Sequence, residues 1–274
     1  MNRMQPLGIA PLFEGLDNDY ITRLYMSLAM LMLAAVVVFS PAMVFDPRIL
    51  DSAPVWIKSQ KFNVSLAVHA LTLAVLVQLV PRSVRTGWAI TIFSYLTAGA
   101  IIYEFAYIAI QAARARRSHF NFDTQLEALM YALMGVGAVL LVLVALVLAI
   151  QIWRKGDRSR QGLWLGSMVG LSLGFVATMV MAGYMSNTSR YVGSSLEGGG
   201  AVIQFLGWSL EYGDYRPAHF VSLHLMQTVP FAGWLADRKG WNTKGVVFGV
   251  AAAQLALAIF LFLQAKAGQP IWSV

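Results

Sequence analysis

Residues 135–150 read GVGAVLLVLVALVLAI and contain no ionisable or amide side chain. The apolar stretch around them, 125–153, is long enough as a helix at about 1.5 Å per residue to cross a hydrocarbon layer about 30 Å thick. Outward from it, segments of similar character lie at 24–45, 61–80, 88–113, 162–185, 218–236 and 245–265, of which 218–236 is the shortest. In lipid a spanning segment must satisfy its own backbone polar groups, which makes each segment a helix. The expected fold is all-α: one polytopic membrane domain over 1–274, a bundle of about seven transmembrane helices. Composition agrees, with 58% hydrophobic and 12% charged residues in 274, against about 25% charged in soluble domains.

The absence of cysteine excludes a disulfide scaffold, a thiolate metal site, a thiol nucleophile and covalent c-type haem attachment. The net charge of +7 does not form a basic face, because Lys and Arg stand in short pieces between apolar runs. They suit anionic lipid headgroups, not nucleic acid. Glu14, Asp17 and Asp19 precede the first apolar run, so that run is expected to be a retained span, unlike the basic opening of a cleaved signal peptide. With the N-terminus in the cytoplasm of a bacterial inner membrane, the inner loops carry a denser set of cations: Arg82 and Arg85, then Arg154, Lys155, Arg158 and Arg160, then Arg238, Lys239 and Lys244. "Outer" below denotes the opposite face. Its loops are 46–60, irregular at Pro54, 114–124, and the long 186–217. The last holds Gly193, Gly198, Gly199, Gly200, Trp208, Glu211 and Asp214, and is either a lid over the outer mouth or a plain connector.

The segment around 135–150 is expected to be scaffold at the lipid-facing periphery. Polar groups enter other spans, where their burial is costly and marks candidate sites. Glu104, Tyr107, Gln111 and Arg114 recur at helical spacing on one face. Glu104 falls about 13 Å from the outer end of its span, His69 about 12 Å and His224 about 9 Å. These three depths suit a shared site in which His69, Glu104 and His224 bind a metal ion, or in which His69 and His224 ligate a haem b. Three separate, satisfied polar residues are the alternative. His224 has Gln227 and Thr228 on its face. Nearer the surface, His119 lies among Arg114, Arg116, Arg117, Ser118, Asn121 and Asp123, and His219 follows Glu211, Asp214 and Arg216. His219 and His224 are about 140° apart around a helix and share no face. Lys58 and Lys61, beside Trp56, read as snorkelling anchors or as recognising a phosphate or carboxylate.

The strings WIKSQKF at 56–62, QAAR at 111–114 leading to SHFN at 118–121, and RPAHF at 216–220 followed by Leu223, His224 and Gln227 resemble an uncharacterised family of bacterial multi-pass membrane proteins, which implies a fold and no activity. A more distant likeness is to seven-span zinc hydrolases of the ceramidase and adiponectin-receptor type. Ser65 and His69 are similar to their Ser-x-x-x-His, whereas His219 and His224 depart from the His-x-x-x-His of the late span. A retinal-binding lysine of the rhodopsin kind has no counterpart, since the last span reaches a lysine only at Lys266.

Three functions follow. One is a membrane-embedded metal- or haem-dependent enzyme or redox protein acting on a lipophilic substrate, with Glu104, His119 and His219 handling protons. Trp56, Tyr103, Tyr107 and Trp208 would suit such a substrate, and equally an interfacial aromatic belt. The second is a proton-coupled transporter in which Glu104 titrates. The third is an accessory subunit bound to a membrane-protein partner.

Overall fold

The computed structural model describes residues 16–51, 53–193 and 200–272. Asp19 opens the first helix, α1 (Tyr20–Phe45), its carboxylate accepting the N–H groups of Ile21 and Thr22 at 3.0 Å. A short antiparallel pair, β1 (Ile49–Leu50) and β2 (Ala53–Pro54), leads to α2 (Ile57–Leu76), which tightens into a 3-10 turn at Val77–Leu79. After α3 (Arg82–Arg85) come α4 (Trp88–Ala113), α5 (Gln125–Lys155) and α6 (Gln161–Asn187). Thr124 caps α5 by accepting the Glu127 N–H at 3.2 Å, the first half of a capping box. The long outer loop carries β3 (Tyr191–Val192), antiparallel to β4 (Gly213–Asp214), and ends in α7 (Arg216–Leu223). Then α8 (Leu225–Lys239) and α9 (Thr243–Lys266) complete the bundle.

Among the described residues, six helices are long and apolar enough to cross a membrane: α1, α2 with its 3-10 turn, α4, α5, α6 and α9. This is an all-α, multi-pass membrane bundle. The expected segment 218–236 is divided between α7 and α8, which meet at His224. Neither piece alone spans a bilayer, since the 15 residues of α8 reach about 22 Å.

The central helix is α2, 56% buried over its apolar window, against 22% for α1 and 17% for α9. One core joins Tyr25, Leu73, Ile101, Leu148, Leu171 and Met226. The expectation that α5 is purely peripheral is corrected. Its Gly137, Leu148 and Ile152 are buried, and Gly137 lies directly against Glu104.

Helices α6 and α8 approach backbone to backbone. Gly162, Gly166, Gly170 and Gly174 form one stripe on α6, a spacing that lets helix backbones approach. A Cβ on Gly166 would stand 2.6 Å from the Val229 carbonyl oxygen, and one on Gly170 2.6 Å from that of Leu225. Asp237 fixes the register by accepting the Gly162 and Leu163 N–H groups at 2.6 and 2.9 Å. These contacts anchor α8, and with it the outer residues of α7.

Candidate functional site

The first turn of α2 points Lys58 and Lys61 into the outer mouth, where loop 114–124 and the long loop close over them. Lys58 Nζ lies 2.9 Å from His119 Nδ1, and Ser118 Oγ lies 3.2 Å from the same nitrogen. The imidazole is held between the rings of Phe62 and Tyr131, at centroid distances of 5.5 and 5.8 Å. Burial pushes the His119 pKa well below its ordinary value, and the charges of Lys58 and Arg190, with His219, push the same way. The ring is therefore neutral. When Lys58 donates to Nδ1, the ring proton sits on Nε2.

The loop that carries His119 is built by the polar stripe of α4. Gln111 donates to the Arg117 carbonyl at 2.9 Å and to Tyr107 Oη at 3.2 Å, while Arg114 donates to Gln111 Oε1 at 2.9 Å. Arg116 grips Glu127 at 2.6 and 2.7 Å, and Asn121 donates to the Arg117 carbonyl at 2.8 Å. Tyr107, Gln111 and Arg114 thus position the loop. Asp51 ties this loop to the start of the long outer loop, accepting from Arg117 at 2.9 Å and Arg190 at 3.0 Å. Burial alone would raise the Asp51 carboxyl, but these guanidinium groups hold it below its ordinary value.

Glu104 is 2% exposed, faces Gly137 of α5, and has Lys58 within electrostatic reach. Its Oε2 has no hydrogen-bond partner. His69 is buried beside the Leu141 backbone, one turn further along α5, with Nε2 unpartnered. His224 instead sits at the break between α7 and α8, with Nδ1 3.2 Å from Gln227 Oε1 and Phe220 edge-on at 4.2 Å. The expected metal set is corrected accordingly. Among the described residues no three His, Cys, Asp or Glu side chains stand where they could hold one ion. Matching depth did not bring His69, Glu104 and His224 together, because two of them turn toward α5 and the third is engaged at the helix break. His119 and His219 do share one electrostatic neighbourhood.

The described part of the long loop lies against this site. Its residues Val202 and Ser209 pair as a β-bridge, and Lys61 donates to the Leu206 carbonyl at 3.0 Å. Arg216 binds Asp214 through Nε and Nη2, and its Nη2 also donates to Tyr191 Oη at 2.9 Å and the Gly207 carbonyl at 2.5 Å. Gly198 and Gly199 fall outside the described residues.

Reading the sequence for depth missed Arg190, Asp51 and Gly207, all in loops. It also missed Gln254, the amide midway along α9, which donates to the Val221 carbonyl at 2.8 Å and meets Thr228. A lone glutamine in an apolar span is a visible signal, since it needs a partner in lipid.

Comparison with protein-family models, with curated proteins and with solved structures finds no match.

Proposed function

We propose that this protein is a membrane-embedded enzyme that performs acid–base chemistry on the polar group of a lipophilic substrate at its outer mouth. The observation that carries this reading is the Lys58–His119 hydrogen bond of 2.9 Å. It fixes one imidazole nitrogen and leaves the other to exchange a proton with substrate. In this reading Lys58 sets the tautomer, Phe62 and Tyr131 set the ring plane, and His219, within electrostatic reach of His119, is the second titratable group. The expected metal set is not assembled, so this reading uses the chain's own titratable groups. In it the protein lies in a bacterial inner membrane with the N-terminus in the cytoplasm, following the cation density of the inner loops.

The test is a comparison of total lipid extracts from cells producing the wild-type protein or the His119→Asn variant at equal membrane abundance. A lipid species that changes only with the wild-type protein supports the enzyme. Identical profiles would refute it.

A proton-coupled carrier is the second reading, favoured by the interrupted helix at His224 and the unpartnered Glu104 carboxylate, since carriers use broken helices at their binding sites. Proton uptake by proteoliposomes that Glu104→Gln abolishes would support it over the enzyme.

A further inference from the structure

Lys61 Nζ and Arg216 Nη1 point into the same space, 3.5 and 3.9 Å from the position a Cβ on Gly207 would occupy. Gly207 has φ +69, a conformation that glycine adopts freely and side chains resist. The missing side chain leaves a gap lined by two cationic donors. Asp214 is consumed by the Nε and Nη2 of Arg216 and by the Ser209 N–H. Among the described residues neither Lys58 nor Lys61 makes an ion pair with a carboxylate. Arg216 and Arg190 add positive charge within reach of Lys61, offset in part by the Asp214 carboxylate. Charge removed from water in this way calls for an anion of opposite sign. Beside the gap, Phe205 is 55% and Phe220 44% exposed, and Trp208 packs edge-on against Phe220 at 5.5 Å. An apolar surface therefore adjoins a cationic one.

We propose that Lys61 and Arg216, flanking Gly207, form an oxyanion cradle that holds the phosphate or carboxylate headgroup of an amphiphile, with its chain lying along Phe205 and Phe220. This rests on the function proposed above, whose substrate class it supplies. A planar guanidinium and a lysine ammonium together suit a group with several anionic oxygens. The loop at 201–210 becomes part of the binding site, latched by Lys61 and Arg216 themselves.

Lauryl phosphate, dodecanol and inorganic phosphate are titrated into the purified protein, with binding followed by calorimetry. Lauryl phosphate is expected to bind saturably, and Lys61→Met to weaken it by about tenfold or more, the loss of one charged hydrogen bond. Lys61→Arg should retain most of the affinity. Dodecanol binding as tightly as lauryl phosphate to the wild-type protein would overturn the cradle without any variant. Inorganic phosphate binding as tightly as lauryl phosphate would overturn the amphiphile and assign the site to a soluble anion. Lys61-dependent binding with unchanged lipid profiles would sink the enzyme alone. A His119-dependent lipid change with Lys61-independent binding would sink the cradle alone.

Discussion

Replacing Gly166 by valine should loosen the helix pair that supports the outer site. A Cβ there meets the Val229 carbonyl oxygen at 2.6 Å and the Pro230 Cα at 3.1 Å, whereas ordinary contact begins near 3.4 Å. The backbones must separate by about 0.8 Å before the two methyl groups are accommodated, and overpacking of this kind costs about 1–3 kcal/mol. For a protein of this size that corresponds to a melting point lower by about 2–12 °C. Gly99→Ala and Gly249→Ala serve as controls, because a Cβ at either position meets nothing within 4 Å; both should melt at or slightly above the wild-type temperature. Thermal melting in detergent, followed by tryptophan fluorescence, reads the difference. Because α7 leads directly into α8, protease cleavage within 201–210 should also quicken in Gly166→Val. A Gly166→Val protein that melts with the wild type would refute the close α6–α8 approach.

Asp214→Ala strips the buried carboxylate, fully enclosed at its side chain, from Arg216. Removing one partner of such a pair costs about 3–5 kcal/mol, so melting should fall steeply and limited proteolysis should open the 201–210 loop. Glu104→Gln should be tolerated or raise the melting temperature, since Oε2 has no partner to lose, whereas Glu104→Ala should lower it by opening a cavity beside Gly137. For His119, whose pKa lies well below its ordinary 6.5, the unfolded chain takes up a proton that the folded protein refuses. This contribution to stability is complete above pH 6.5 and is lost as pH falls from there toward the folded value, at up to about 1.4 kcal/mol per pH unit. The wild-type melting temperature should therefore drop more between pH 7 and 5.5 than that of His119→Asn.

The spans were legible because hydrocarbon imposes one rule along the whole chain, and GVGAVLLVLVALVLAI at 135–150 satisfies it without reference to any partner. The division at His224 was not, because α7 and α8 are less apolar than the other spans and the Gln254 contact with Val221 beside the break comes from a distant helix. Depth counting gave no rotation about the bundle axis. His69 and Glu104 consequently turn to α5 and leave His224 elsewhere. The pairing of Lys58 with His119 was hidden because it joins the start of α2 to a loop 61 positions later. Gly207 carries no signal of its own until Lys61 and Arg216 are seen to flank it.

The most direct test of the Lys58–His119 pair is nitrogen-15 NMR of histidine-labelled protein in detergent micelles. The chain has 4 histidines, and the His119→Asn variant assigns the resonance. At pH 6 a neutral ring with its proton on Nε2 is expected, with a change of tautomer or protonation in Lys58→Met. A His119 ring that titrates near 6.5, or carries its proton on Nδ1 in the wild-type protein, would contradict that expectation.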